Sequence, residues 1–388
     1  MEKILLISPV IPDANGGGRE KRAHQWVHKL SKQYEVSILI IKEKELEIEE
    51  KELLLNGANN INFVKIPSRS KFMLVNQDIK KLLALKFGCF PLFRETKNQL
   101  EEIYREQQFD LILCFRLYLK EYALFLKKIM NTKTIHLDID DIESTTRLKI
   151  AKLFFKKSQY KKAIIHFISS LFFKVEEIRL ETYTKHVYIC SNEDQRVLSK
   201  QFPSLIVEKL PNRLYGVPNI LETPKNPFQL LFVGTLSYFP NEEAVLWFID
   251  KVLPRLRKLD SRWVLHVVGY GASERLKKAL LKQKGVIFYG YISSLETVYN
   301  EAAIVISPLH AGGGTKLKVI EAMWYGRPIV ATNESVHGLG LTPYVHFLPA
   351  ETADEFILAC HQLTQEPILV KKLVNASLSM MNEEYTYV

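Results

Sequence analysis

The chain has 388 residues, more than one hydrophobic core usually organises, so we expect two domains. Hydrophobic residues make up 47% and charged residues 25%, which excludes a largely disordered or fibrous protein and a small disulfide-stapled fold. The net charge of +10 lies in residues 1–220, which hold 37 Lys and Arg against 27 Asp and Glu, while residues 221–388 hold 16 of each kind. A basic N-terminal part attracts nucleic acid, anionic lipid or a phosphorylated substrate, and the charge does not choose among them.

Cysteine spacing and apolar runs predict the compartment. No pair of cysteines has the spacing of a zinc site or a redox motif, so we expect reduced, mostly buried thiols at Cys89, Cys114, Cys190 and Cys360. The apolar run within Met1–Pro12 is too short for a signal peptide. The longest apolar stretch, 163–173, falls far below the roughly 20 residues of a bilayer span. We therefore expect a cytosolic protein without a membrane-spanning segment.

Short β-rich runs alternate with helical patterns from the N-terminus, which is typical of a parallel sheet flanked by helices. A stretch punctuated by Pro211, Pro218, Pro224 and Pro227 is typical of a linker, and it places the domain boundary after residue 215. The same alternation restarts beyond it, so residues 1–215 and 216–388 are each expected to form an α/β domain with a parallel sheet. The predicted strands are Lys3–Ser8, Val36–Ile41, Ile61–Ile66, Leu111–Phe115, Thr134–Leu137, Val187–Cys190, Gln229–Val233, Trp263–Val268, Val286–Tyr289, Ile304–Ser307 and Pro328–Ala331.

Residues 147–174 form a long helical region with eight basic side chains, no acidic one and six aromatic residues. Lysine stems over an apolar strip would hold such a helix on an anionic membrane, at about 1 kcal/mol per basic residue. The alternative is a solvated helix whose aromatic residues pack on the domain. The similar mixture in Lys80–Arg94 favours the membrane interpretation, which predicts peripheral attachment to the inner membrane face.

Glycines follow the first strand. Gly16, Gly17 and Gly18 precede Arg19 and a helical pattern, so backbone N–H groups there could bind a phosphate or a sugar. The spacing fits neither the dinucleotide fingerprint nor the P-loop, and a flexible turn explains it equally well.

A second glycine cluster follows the strand that ends at Ser307. Gly312, Gly313 and Gly314 lead through Thr315 and Lys316 into a helix, with Thr315 able to cap it, which makes a preformed site for an anion. Lys316 in the first turn opposes the helix dipole unless an anion is bound. Further along the same helix, Glu321 could accept hydrogen bonds from two ribose hydroxyls or could be an ordinary surface residue.

Carboxylates cluster where the strand Thr134–Leu137 ends, at the edge of the sheet where ligands bind. Asp138, Asp140, Asp141 and Glu143 could contact an acceptor hydroxyl or a sugar, or could bind a divalent metal. Equally, Asp141 or Ser144 could cap the following helix while the other residues stay solvated.

Several segments together resemble group 1, family 4-like glycosyltransferases, which have the GT-B fold and are similar to sucrose and glycogen synthases. The resemblance is densest over 228–335. The segments that carry it are Phe232–Phe248, Val267–Gly269, Tyr289–Tyr291, Pro308–Lys316 and Glu321–Pro328.

The resemblance implies two Rossmann-like domains whose parallel sheets face a central cleft, with a nucleotide-sugar donor bound mainly by the C-terminal domain and an acceptor by the N-terminal one. It also implies retention of anomeric configuration, no metal and no cofactor. For the donor, it assigns Glu321 to the ribose, the backbone of Tyr291 to the base, and Gly234 with Thr235 to the diphosphate. Gly269 and residues 312–316 complete the expected donor site.

The sequence departs from the family pattern at two places. The first glutamate of the usual pair is replaced by Gly313, and the Arg and Lys that often follow the first glycine are replaced by Thr235 and Leu236. Lys316 and Arg19 are the candidates for the missing charge. The expected catalytic residues are Asp138, Asp141 and Lys316.

We therefore expect a glycosyltransferase that moves a sugar from a nucleotide donor to a lipid-linked or polysaccharide acceptor in surface polysaccharide or glycolipid synthesis. Alternatives are a nucleotide-sugar epimerase of the same architecture and a basic nucleic-acid-binding protein, although we expect no nucleic-acid partner. A nicotinamide-dependent oxidoreductase is disfavoured because the spacing of Gly16–Gly18 is wrong and no acidic residue ends the second strand.

Overall fold

The structure is a computed structural model that describes residues 1–42, 58–66 and 91–388. Its chain divides into two compact units, Met1–Asn212 and Arg213–Val388, close to the predicted boundary at residue 215. Most of the Lys80–Arg94 segment, together with Cys89, lies outside the described residues.

The N-terminal unit is built on a seven-stranded sheet with the order β3-β2-β1-β4-β5-β6-β7, in which every neighbouring pair is parallel. Its strands are β1 Lys3–Ser8, β2 Glu35–Lys42, β3 Asn60–Lys65, β4 Leu111–Phe115, β5 Thr134–Asp140, β6 His186–Ile189 and β7 Ile206–Lys209. Its helices are α1 Gly18–Ser31, α2 Arg94–Tyr104, α3 Lys120–Ile129, α4 Glu143–Lys156, α5 Tyr160–Ile178, α6 Leu180–Tyr183 and α7 Asn192–Gln201, with a 3-10 turn at Leu117–Leu119.

This sheet is buried on both faces, which is why its strands are continuous apolar runs rather than alternating ones. In β1, Leu5 and Ile7 pack into one core cluster, while Ile4 and Leu6 pack into another that contains Trp26 of α1. Successive side chains of a strand point to opposite faces, so one strand supplies both clusters. Because β1, β4 and β5 are neighbouring parallel strands, their carboxyl ends lie side by side at one edge of the sheet.

The sequence predicted one helix over residues 147–174. The structure instead has two helices here, α4 and α5, which form a hairpin. The two helices pack along each other, and Ser158 in their connection has a φ of +57°. The two helices run antiparallel, so the end of α5 meets the start of α4. There Glu177 accepts hydrogen bonds from the backbone N–H and the hydroxyl of Ser144. Ser170 also donates to the carbonyl of Ser144, 2.7 Å away.

The C-terminal unit repeats the design with a six-stranded parallel sheet in the order β11-β10-β9-β12-β13-β14, and a short pair of β15 with β8. Its strands are β8 Leu214–Tyr215, β9 Gln229–Val233, β10 Val264–Val268, β11 Val286–Gly290, β12 Ile304–Ser307, β13 Ile329–Ala331, β14 Leu348–Pro349 and β15 Thr386–Tyr387. Its helices are α8 Phe239–Lys251, α9 Leu253–Leu259, α10 Glu274–Lys282, α11 Glu296–Glu301, α12 Leu317–Trp324, α13 Asn333–Val336, α14 Ala353–Gln365 and α15 Pro367–Glu384.

The second sheet is also covered on both faces. Leu230 and Phe232 of β9 belong to one core cluster, and Leu231 and Val233 belong to the other. Two α/β units with parallel sheets confirm the predicted fold class.

All eleven predicted strands are present, with ends shifted by at most a few residues. The sequence analysis missed β7, β8, β14 and β15, of which three have only two residues. Cys114, Cys190 and Cys360 are free and buried, as expected. None of the helices in the described part of the chain is long and apolar enough to cross a membrane.

Candidate functional site

Three glycines meet where β9, β10 and β11 end. The backbone N–H of Gly234 donates to the carbonyl of Val268 at 3.0 Å, and the N–H of Gly269 donates to the carbonyl of Gly290 at 2.8 Å. Gly269 has a φ of +155°, and a Cβ there would lie 1.8 Å from the carbonyl oxygen of Gly234. Only glycine allows this approach, which leaves a surface of backbone groups at the ligand-binding edge of the sheet.

The second glycine cluster lies where β12 ends and α12 begins. Gly312 and Gly314 both have positive φ, at +150° and +60°. The sequence analysis was wrong about the cap: Lys316 occupies the N-cap position of α12 rather than Thr315, and no side chain caps the helix. The N-cap side chain therefore accepts none of the first N–H groups of α12, which favours an anion at this position.

Lys316 folds back over this turn. Its Nζ donates to the carbonyl of Gly314 at 2.7 Å and lies 3.8 Å from a carboxylate oxygen of Glu334. A Cβ on Gly312 would lie 3.3 Å from Cε of Lys316 and 3.7 Å from the hydroxyl of Tyr238. The structure thus brings Gly312, Gly314 and Lys316 together, with half-buried Gly313 in the same loop.

Glu321 is only 6% exposed, so it is not the surface residue of the alternative interpretation. It lies near Tyr299 and Tyr325, whose pKa values are raised by burial and by the Glu321 carboxylate. Tyr291, by contrast, is 75% exposed just beyond Gly290. Its ring is therefore available to stack on a planar ligand.

A buried lysine that the sequence analysis missed connects the two glycine sites of this unit. Nζ of Lys318 donates to Oδ1 of Asn241 at 2.6 Å, and Nδ2 of Asn241 donates to the carbonyl of Thr235 at 2.9 Å. A Cβ on Gly234 would lie 3.1 Å from Nζ of Lys318. The available signal was a lysine inside the otherwise apolar start of α12, between Leu317 and Val319.

In the N-terminal unit, Asp138 forms a completely buried ion pair with Arg22 of α1. Nε and Nη2 of Arg22 contact the two carboxylate oxygens at 2.7 and 2.8 Å, and Trp26 donates to the same group. Arg22 also donates to the carbonyl of Leu210 and to Oδ1 of Asn212, both at 2.9 Å. This burial does not support substrate contact by Asp138, because the carboxylate is enclosed by protein donors.

Arg116 organises the carboxylates that follow Asp138. Its Nη2 lies 2.6 Å from Asp140 and its Nη1 lies 3.2 Å from Asp141. Arg116 and Asp140 have φ values of +88° and +62°, strained for residues other than glycine. Such strain persists where the surrounding structure enforces it, often at functional sites.

The two neighbouring carboxylates have opposite pKa shifts. Burial acts to raise the pKa of Asp140, but Arg116 and Arg22 outweigh it and hold this pKa below its ordinary value. Burial, Glu143 and Asp140 together raise the pKa of Asp141 to about 7, against the opposing effect of Arg116 and the Thr146 hydroxyl. Asp141 therefore changes its ionisation state nearer to neutral pH than an ordinary aspartate does.

The alternatives for the carboxylate cluster resolve in part. Neither Asp141 nor Ser144 caps α4; Oδ2 of Asp141 accepts from the hydroxyl of Thr146, and the Ser144 hydroxyl donates to Glu177. No group of three or more His, Cys, Asp and Glu side chains within 1–42, 58–66 and 91–388 is arranged to hold a metal ion.

The first glycine loop lies at the end of β1, beside this cluster. Gly17 is the N-cap of α1, without a side-chain cap, and exposed Arg19 lies close enough to half-buried Tyr118 to act on its pKa. Burial raises the pKa of Tyr118 despite Arg116 and Arg19. Gly16, Gly17, Gly18 and Arg19 thus lie at the same sheet edge as Arg116 and Asp141.

Comparison with known proteins identifies the C-terminal unit. Residues 227–366 match the family described as Glycosyl transferases group 1. The chain is also 25% identical over 401 residues to a protein of Klebsiella pneumoniae named "Uncharacterized 44.6 kDa protein in cps region", covering 99% of this chain and 97% of the relative.

Solved structures share the fold over the whole chain. HepE of Anabaena, in complex with UDP and glucose, superposes with a TM-score of 0.68 at 13% identity, covering 100% of this chain and 96% of HepE. The pneumococcal O-GlcNAc transferase GtfA, in complex with UDP and GlcNAc, has a TM-score of 0.63 at 10% identity, covering 99% and 96%. As the sequence resemblance predicted, residues 227–366 match the group 1 glycosyltransferase family, and the whole chain has the GT-B fold of these solved glycosyltransferases.

Proposed function

We propose that the chain transfers a sugar from a UDP-sugar to a lipid-linked or polysaccharide acceptor, with retention of configuration and without a metal or another cofactor. The observation that carries this proposal is the uncapped start of α12 behind Gly312–Gly314, with buried Glu321 further along the same helix. UDP as the nucleotide is supported by the structural neighbours HepE and GtfA, both described in complex with UDP.

Each part of the donor has a proposed partner in the C-terminal unit. The N–H groups at the start of α12, with Lys316, bind the diphosphate, and the turn at Gly234 and Thr235 lines it. The Glu321 carboxylate accepts hydrogen bonds from the ribose hydroxyls. The backbone and exposed ring of Tyr291 contact the base.

These groups act on the charge that develops during transfer. The bond between the anomeric carbon and the UDP oxygen breaks, and UDP leaves with the electron pair while the sugar becomes oxocarbenium-like. Fixed N–H dipoles and the Lys316 ammonium stabilise the growing negative charge on the diphosphate. The acceptor oxygen then bonds to the anomeric carbon, and its proton passes to the ionised carboxylate of Asp141.

On the acceptor side, Asp141 is the group we assign to the acceptor hydroxyl. Arg116 fixes one oxygen of Asp141, and the Thr146 hydroxyl occupies the other, which orients the carboxylate. Once ionised, it accepts a hydrogen bond from the hydroxyl that attacks the sugar. Asp138 becomes a positioning residue, since it holds Arg22 and also accepts the backbone N–H of Asp140 at 3.0 Å. Gly16–Gly18 and Arg19 bind an anionic part of the acceptor.

The hairpin of α4 and α5 supports an anionic membrane surface as a further partner. Seven apolar side chains on α5 are between 40% and 58% exposed and follow helical spacing on one face: Tyr160, Ile164, Phe167, Ile168, Leu171, Val175 and Ile178. Exposed lysines flank them: Lys152, Lys156, Lys157, Lys161, Lys162 and Lys174. This combination binds an interface by burying apolar area and by attracting anionic headgroups. It supports our proposal that the acceptor is a lipid-linked glycan at the inner membrane face.

The relative in the cps region supports a role in surface polysaccharide synthesis. The direct test is release of UDP from a panel of UDP-sugars, with and without lipid-linked acceptors extracted from membranes. We expect one sugar to give acceptor-dependent release with the anomeric configuration retained in the product. Conversion of the sugar without an acceptor would instead indicate an epimerase, and salt-sensitive RNA binding without UDP release would indicate a nucleic-acid-binding protein.

A further inference from the structure

We propose that Lys318 is a diphosphate-binding residue whose buried ammonium takes the place of the cationic side chains absent at Thr235 and Leu236. The inference rests on the proposed donor site. It adds a cationic side chain to that site and predicts that donor binding takes up a proton. It starts from the position of Nζ, which lies beneath the turn at Gly234, where the proposed diphosphate binds.

Lys318 is buried without a carboxylate in ion-pair distance among the described residues. Its Nζ donates a hydrogen bond to Oδ1 of Asn241 at 2.6 Å and lies 4.1 Å from the centroid of the Phe232 ring. An ammonium has three donors, and Asn241 uses one of them. A buried cation without a counter-ion is costly, so it persists where an anion completes it.

The charged groups around Lys318 show why its ammonium form is costly in the free protein. Burial and the neighbouring Lys316 lower the pKa of Lys318 to about 7, while Glu321 acts in the opposite direction. Asn241 from α8 and Phe232 from β9 bring no charge, and the buried Glu243 of α8 is 2.9 Å from Arg275. Lys316 itself lies near Glu334.

Binding of a diphosphate next to Nζ reverses the electrostatics. A neighbouring anion favours the charged amine and raises its pKa again. At pH 8 the amine of the free protein is mostly neutral, so UDP binding should take up most of a proton at Lys318. At pH 6 the amine is already charged, and this uptake should disappear.

The test is isothermal titration of UDP at pH 8 in buffers of different ionisation enthalpy, which counts protons taken up on binding. Lys318→Met keeps the length of the side chain without the charge, and exposed Lys278→Met on α10 is the matched control. We expect wild type and Lys278→Met to take up a proton. Lys318→Met should take up none, bind UDP at least about tenfold more weakly, and bind uridine, which lacks the phosphates, unchanged.

A purely structural role predicts different results. If Lys318 only supported Asn241, Lys318→Met would lower the melting temperature and weaken UDP and uridine alike; our account predicts an equal or higher melting temperature, because an uncompensated buried charge is removed. UDP binding to wild type without proton uptake at pH 8 would overturn the inference even if the variant failed to fold. If none of UDP, GDP, ADP and CDP bound to wild type, the proposed donor site would fall, and this role with it.

Discussion

Gly269 and Gly234 approach each other so closely that a Cβ on Gly269 would lie 1.8 Å from the Gly234 carbonyl oxygen. The contact joins the ends of β9 and β10 and sets the backbone of the proposed diphosphate site. We expect Gly269→Ala to force these strand ends apart, to lower the free energy of unfolding by at least about 3 kcal/mol and to abolish UDP binding. Urea unfolding and titration with UDP measure the two effects.

Gly290→Ala is the matched control for this change. Gly290 also has a positive φ, +69°, but no atom lies within 4 Å of the position its Cβ would take. The substitution should cost about 1–2 kcal/mol and weaken UDP binding far less than Gly269→Ala does. Equal loss of UDP binding in both variants would show that strand-end strain, rather than the Gly234 contact, controls the site.

The raised pKa of Asp141 predicts the pH dependence of the reaction. Because the ionised carboxylate is the form that accepts the acceptor hydroxyl, kcat/KM for the acceptor should rise with pH through about 7. Asp141→Asn should lower kcat by about 100-fold at pH 8 and remove this pH dependence. Initial rates between pH 5.5 and 9 provide the measurement.

Stability separates this effect from unfolding. A carboxyl whose pKa rises on folding stabilises the folded state at acidic pH and loses that contribution as pH increases toward 7. Asp141→Asn should therefore be at least as stable as wild type at pH 8. A variant that loses activity and stability together at pH 8 would contradict the role assigned to Asp141.

The Arg22–Asp138 pair should behave as a structural unit of the N-terminal part. Arg22→Met leaves the completely buried Asp138 carboxylate without its cation, and we expect it to cost about 3–5 kcal/mol in urea unfolding. The double variant Arg22→Met, Asp138→Asn should recover at least about half of that loss. If the losses of Arg22→Met and of Asp138→Asn, measured singly, added up to the loss of the double variant, the two side chains would not be coupled.

The apolar face of α5 makes membrane binding testable. Ile164→Glu and Phe167→Glu should each weaken binding to vesicles of anionic phosphatidylglycerol by at least about tenfold. Each change removes an apolar side chain that would become buried in the interface on binding. Leu358→Glu, at a still more exposed position on α14, is the control and should bind as wild type does. Sedimentation with anionic and zwitterionic vesicles measures the difference. Wild type that stays in the supernatant, or self-associates through this face, would exclude the membrane assignment.

Local patterns in the sequence predicted the sheets because their causes are local. The strand Gln229–Val233 and the strand Ile304–Ser307 are buried apolar runs bounded by turn residues, and the structure has them with the same ends. The glycine loops were also recognisable, since a positive φ at Gly312 or Gly314 is a property of those residues themselves.

Long-range pairing could not be predicted in the same way. Arg22 and Asp138 are 116 residues apart, and Lys318 and Asn241 are 77 apart, so only the folded chain shows that these side chains meet. The same reason explains the error at Asp138, which looked like a cleft carboxylate while its partner in α1 was unknown. The hairpin was missed because its connection at Ser158 contains no glycine or proline.

The central claim is that the glycine-lined start of α12 binds the diphosphate of an activated sugar, and hydrogen exchange of the backbone amides with and without saturating UDP tests it most directly. Our account predicts slower exchange within residues 312–318 and around Thr235 when UDP is bound. Protection confined to residues 1–212, with exchange at 312–318 unchanged, would contradict it.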